Sequence, residues 1–297
     1  MAAMIGRGAE SWRGVERRAP FLATGLIAIA MAIGSAACAE TADEPPDEPP
    51  GLSRGDKMLL LNGGAAAGLI AWGSYKWDYG QRDPHTQSEG WFGFDTGEGG
   101  ADKLGHVWSS YALSHLFATI YEDWGYSRAE ATTYGTLSSV GFQTLMEFGD
   151  SFSNHGFSYE DMLANFVGAG IGYLLRDQPQ LGTKIDLRLE FAPSLDGGND
   201  SDIFTDYEHQ KMLVALKGSG FENLEGTLFE YLEFHMGYYT RGYDDFLAGG
   251  AETRRRTLYV GVGLNVTKLL SHVWETRLFN YIQVPGTYVP LEYKFDQ

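Results

Sequence analysis

Residues 158–192 read SYEDMLANFVGAGIGYLLRDQPQLGTKIDLRLEFA, and the fold class turns on how this stretch changes its period. Up to Leu175 apolar residues recur at helical spacing, and Gly168-x-x-x-Gly172 marks a face that another backbone can approach closely. Asp177-Gln178-Pro179 then breaks the pattern. From Lys184 to Ala192 the residues alternate strictly, with Ile185, Leu187, Leu189 and Phe191 on one side, as in a strand with one buried face. Helix gives way to sheet here, which predicts a segregated α+β chain.

Upstream, Met58 to Trp72 reads as a first apolar helix carrying Gly64-x-x-x-Gly68, and Ala101–Trp124 and Ser127–Phe148 read as two more. Ser127 with Glu130, and Ser158 with Asp161, resemble capping boxes. Tyr75 to Gly100, rich in aromatic residues, Gly and Asp, reads as an ordered loop. Downstream, Tyr231–Arg241 and Thr257–Val266 alternate, and 211–217 and 281–295 are weaker strand candidates. Thr267 to Trp274 reads as a short helical insertion. The expectation is an N-terminal four-helix unit followed by a C-terminal antiparallel β-sheet of about five strands. The usual fate of such a sheet's apolar face is to cover the helices. The alternative is contact with lipid, which for so few strands requires oligomerisation or partial immersion.

The formal charge of -17 argues against a nucleic-acid partner. The N-terminus has the form of an export signal: Arg7, Arg13, Arg17 and Arg18 precede an apolar run from Phe21 to Ile33, followed by small residues through Ala39. Ala37-Cys38-Ala39 fits ordinary signal cleavage, while Ser35-Ala36-Ala37-Cys38 resembles a lipobox in which Cys38, the sole cysteine, would be lipidated. The acidic, proline-rich run ETADEPPDEPP at 40–50 reads as a solvated tether. The expected organisation is a signal peptide at 1–39, the tether at 40–55, a helical domain at 56–180 and a strand-rich region at 181–297.

Seven polar residues lie within or beside the apolar helices: Asp102, Lys103, His106, Glu147, Asp150, Asp161 and Asn165. Spacing of four places Asp102 beside His106 and Asp161 beside Asn165 on shared helix faces. Acids and an imidazole on core-facing positions are costly unless they meet one another, so the pattern predicts a network.

These residues, as Asp102-Lys103-x-x-His106, Glu147-x-x-Asp150 and Gly156-Phe157-Ser158-x-x-Asp161-x-x-x-Asn165-x-x-Gly168, carry a resemblance. Residues 91–177 resemble the YfiM-like family of predicted periplasmic lipoproteins, itself distantly similar to VanZ-like membrane proteins. The resemblance implies the periplasm or outer membrane, with or without a lipid anchor, and a membrane surface or envelope component as partner. It implies no reaction and no cofactor.

Two readings of the residues stay open. In one, the protein is structural or ligand-binding at the periplasmic face of a membrane, and Lys103, Asp150, Asp161 and Asn165 belong to a network that sets helix register or holds a ligand. In the other it is a hydrolase of a lipid-linked or cell-wall substrate, with His106 as base and Asp102 or Glu147 orienting it. A His among carboxylates also suits Zn or Mn, although no H-E-x-x-H pattern occurs.

Overall fold

The computed structural model describes residues 51–192, 204–243, 253–271 and 273–295. The export signal, Cys38 and the acidic run at 40–50 lie outside the described residues. Ser53 opens the first helix, α1 (Arg54–Lys76), with a capping box: its hydroxyl accepts from Asp56 N, and the Asp56 carboxylate accepts from Ser53 N. Helices α2 (Ala101–Asp123), α3 (Arg128–Asp150) and α4 (Tyr159–Asp177) follow. Ser127 and Glu130 form the same box at α3. At α4 only half of it forms, because the Asp161 carboxylate turns to Lys103 rather than back to Ser158.

α2 is the central helix, packed against both α3 and α4. Glycine makes those contacts close: a Cβ at Gly168 would lie 2.1 Å from Val107 O, and one at Gly172 2.0 Å from Ser114 Oγ. The other small-residue pair differs from expectation, since Gly64 and Gly68 face open space. Met58, Leu61 and Ala65 carry the packing of α1 instead, against Phe117, Tyr121 and Ala131. No helix among the described residues is long and apolar enough to cross a membrane.

A short helix, α5 (Pro179–Gly182), turns the chain into β1 (Ile185–Phe191). β2 (Gln210–Lys217), β3 (Leu232–Arg241), β4 (Arg255–Leu264), helix α6 (Val266–Leu270), β5 (Ile282–Gln283) and β6 (Tyr288–Lys294) complete the order. The sheet is mixed and six-stranded, β5-β1-β2-β3-β4-β6, with β5 parallel to β1 and every other pair antiparallel. The single strand expected at 281–295 is therefore two, one on each edge. Only residues 284–287 separate them. Fully extended, that connection reaches about 18 Å, whereas a flat sheet of this size would hold its edges about 24 Å apart. The sheet curls until its edges approach. Thr287 bonds both sides, accepting from Leu264 N at its carbonyl and from Gln283 Nε2 at its hydroxyl.

The curl encloses the polar face. Arg188 donates to both Glu233 oxygens at 2.5 and 2.9 Å, to Asp186 at 2.9 Å and to Gln283 Oε1 at 3.0 Å. Lys217 Nζ lies 2.6 Å from Asp186, and His235 Nε2 3.1 Å from Glu233. Gly237 and Gly263 make room for rings: a Cβ there would meet Tyr259 and His235 at 2.4 and 2.6 Å.

The apolar face consequently points outward. The expectation that it covers the helices holds at one end, where Leu187 of β1 packs on Tyr111 and Leu175, Met212 of β2 lies beside Gly105, and Tyr238 of β3 is buried and donates to Gly99 O. Beyond that, Val289 and Leu291 are 78% and 74% exposed, Met236 and Val262 each 54%. The cause is electrostatic. Buried charges must meet partners and leave water together, and those of β1, β2 and β3 do so only on the enclosed side. The helices share this inversion. Lys103, Gln143, Glu147, Glu160 and Asn165 are among the largest fully buried side chains, while Leu137, Phe148, Leu163, Phe166 and Leu174 are exposed.

Candidate functional site

The polar residues inside the bundle begin at the first turn of α2. Gly99 and Gly100, with φ of 61° and 89°, swing the chain into that helix. Lys103, 2% exposed, then places its ammonium 2.5 Å from Asp102, 2.6 Å from Glu89 and 2.6 Å from Asp161. Glu89 is held there by its neighbours, because Ser88 Oγ and Gly90 N both donate to the buried Glu160 carboxylate of α4.

One turn further along α2, His106 faces α3 and α4. Its Nδ1 is 3.2 Å from Asn165 Oδ1 and 3.7 Å from Glu147 Oε1, and its Nε2 is 3.7 Å from Asp161 Oδ1. Asn165 Oδ1 also accepts from Ser110 Oγ and Gln143 Nε2, each at 2.9 Å, while its amide donates to Glu147 Oε1 at 3.4 Å. The close approach at Gly168 is what allows α4 to bring Asn165 this near to α2.

Burial, then the charges of Asp161 and Asp150, pushes the Glu147 carboxyl up to about 9. Burial also raises Asp150 to about 7, with a Tyr79 hydrogen bond opposing and Asp161 adding to the rise. Glu89 is raised to about 8 by burial and Asp161, against the pull of Lys103. Asp161 moves the other way: burial resists, but His106 and Lys103 hold it below its ordinary value. Burial likewise works to lower Lys103, and the Asp102 and Asp161 carboxylates overcome it. Near neutral pH Glu147 therefore keeps its proton while Asp161 is ionised, two carboxyl groups separated by their surroundings.

The structure brings His106, Glu147, Asp161 and Asn165 together. Lys103 joins through Asp161. The Asp102 carboxylate meets Lys103, and Asp150 sits to one side near Tyr79. Glu89, Ser110 and Gln143 complete the network and were not singled out from the sequence. Two of them carried a signal: Ser110 lies four residues after His106 and Gln143 four before Glu147, on the same helix faces. Glu89 carried none, since it sits in an aperiodic loop.

Among the described residues, two sets of side chains offer donor atoms within 4.8 Å of one another: His106, Glu147 and Asp161, and Glu89, Asp102 and Asp161. The second already holds the Lys103 ammonium. Elsewhere, a mainly apolar groove of about 620 Å³ runs between the helices and the outer face of the sheet, lined by Trp108, Val167, Ile171, Leu187, Met212 and Met236 among others.

Residues 88–177 match the model of a family described as predicted periplasmic lipoprotein (DUF2279). The matched span takes in Glu89 and every other member of the network and stops before β1. It is consistent with a periplasmic location, with or without a lipid anchor. No curated protein and no solved structure matches the chain.

Proposed function

We propose that this is an exported envelope protein that rests on the lipid of a membrane at its periplasmic face, with its buried polar network fixing the helices behind that surface. One observation carries the reading: the sheet encloses its charged face and leaves its apolar face outside. A scattered exposed leucine is ordinary, but a contiguous apolar face of several strands marks an interaction surface. Exposed Leu163, Phe166 and Val167 of α4 add to the apolar exterior. The chemistry at one end of the face favours lipid over a second acidic copy of the chain. Arg256 ends that face on β4, and Arg255 and Lys294, which alternate to its other side, stand at the same rim across the paired ends of β4 and β6. In a chain of formal charge -17 this edge suits anionic headgroups.

Cleavage before Cys38 with an acyl chain on that residue would act in the same direction, tethering the surface that the fold presents; cleavage after Ala39 would leave that surface to act alone. The more distant VanZ-like affinity rests on the motif residues alone. The hydrolase alternative has less support, because Glu147 and Asp161 are closed in and Asp102 is committed to Lys103.

Flotation with phosphatidylethanolamine/phosphatidylglycerol vesicles tests the reading, using the Cys38→Ser chain so that no acyl group contributes. The chain should float, and Met236→Lys with Val260→Lys, cross-strand neighbours on the exposed face, should sink. A Cys38→Ser chain that stays in the dense fraction would refute lipid contact by the fold itself.

A further inference from the structure

The bundle interior holds more carboxyl groups than cationic side chains among the described residues. Glu89, Asp102 and Asp161 surround one ammonium, that of Lys103. Among the described residues no lysine or arginine pairs with Glu147, which is 1% exposed; its side chain meets the Asn165 amide at 3.4 Å and the His106 ring at 3.7 Å. We propose that His106, Glu147 and Asp161 bind one divalent transition-metal ion, with Zn²⁺ the best chemical match. Nothing in this inference depends on the lipid reading.

The donor set is one imidazole nitrogen and two carboxylate oxygens, the mixture that Zn²⁺ accepts. Its spacing points the same way. His106 Nδ1 stands 3.7 Å from Glu147 Oε1 and Nε2 3.7 Å from Asp161 Oδ1, beyond hydrogen-bond length, and one donor atom of each residue lies within 4.8 Å of the other two. Two metal bonds of about 2.1 Å at a tetrahedral angle span about 3.4 Å; Asp161 stands close to that spacing from Nε2, while Glu147, on the Nδ1 side, would have to swing further to reach the same ion.

The surroundings are those of a held ligand set. Asn165 Oδ1 faces His106 Nδ1, and a hydrogen bond there would leave Nε2, on the Asp161 side, for the ion. Asn165 is itself fixed by Ser110 and Gln143, and Asp161 by Lys103. The His106 side chain is 15% exposed, which gives an ion a way in and leaves a coordination position for water. The neighbouring triad of Glu89, Asp102 and Asp161 is excluded as the site because Lys103 contacts all three of its carboxylates, whereas of the proposed ligands it contacts Asp161 alone.

The test is Zn²⁺ titration of the chelator-stripped full chain by calorimetry, with thermal melts on the same samples. One ion per chain and a raised melting temperature are expected. Glu147→Gln, close in shape to the native side chain, and His106→Ala should each weaken binding by at least about a hundredfold, a loss at or beyond the top of the range for second-shell partners. His209→Ala, which alters a partly exposed histidine paired with Asp206, should bind as the native chain does. Circular dichroism confirms that each variant scored is folded; if His106→Ala is not, Glu147→Gln decides. Absence of binding heat and of any melting shift would overturn the proposal. So would uptake undiminished in Glu147→Gln, which would mean an adventitious surface ion only.

Discussion

Replacing Glu147 by Gln in metal-free protein should stabilise the fold, by an amount that grows with pH. The carboxyl has an ordinary value of 4.5 and is pushed up to about 9 in the bundle. A group whose value rises on folding holds its proton more tightly in the native state than in the unfolded one. Its contribution to stability is thus fully present below about 4.5 and is lost as pH climbs toward 9. Each pH unit in that window removes about 1.36 kcal/mol, so by pH 7.5 the native chain has lost up to about 4 kcal/mol through this one group. An amide cannot ionise and escapes that loss. Urea unfolding of both proteins between pH 5 and pH 8.5, in chelator, gives the difference directly from the midpoints. Near-equality at pH 5, widening in favour of the variant by roughly 1 kcal/mol per unit, is the expected result. A difference that stays flat with pH, or a variant less stable at pH 7.5, would refute the account of a protonated Glu147.

Three further substitutions probe the packing. Gly168→Ala places a Cβ 2.1 Å from Val107 O and should cost about 1–3 kcal/mol in chemical denaturation. Gly64→Ala, in open space on α1, should be neutral or stabilising by up to about 1 kcal/mol in the same assay. Arg188→Met strips Glu233 and Asp186 of their shared guanidinium and should destabilise by roughly 3–5 kcal/mol. Adding Glu233→Gln to that variant should recover part of the loss, and a double-mutant cycle measures how much.

Local periodicity made the elements legible and topology made the faces illegible. The four long helices and the strands at Lys184–Ala192, Tyr231–Arg241 and Thr257–Val266 follow from spacing alone, because helix and strand repeat their apolar residues differently. The same alternation cannot say which face is inside. That depended on Arg188 finding Glu233 and Gln283, which lie 45 and 95 residues away along the chain. The break of 281–295 into two strands was hidden for a similar reason: it is imposed by pairing with β1 on one side and β4 on the other. In the site, four-residue spacing marked the positions on α2, α3 and α4. Glu89 came from a loop pinned by Glu160, a contact 70 or more residues in range that no local pattern encodes.

The closure across residues 284–287 bears on the order of folding. Until Gln283 reaches β1, the charged interior of the sheet is open to water, and each ion there keeps its hydration rather than its partner. Contacts of such long sequence separation form late and slowly, since loop entropy is lost before any contact repays it. The helical bundle, built from nearest neighbours along the chain, is expected to be in place first, and the sheet to dehydrate in a single late step. Refolding should therefore be biphasic, with a fast rise in helical signal and a slower phase that lengthens further in Gln283→Ala.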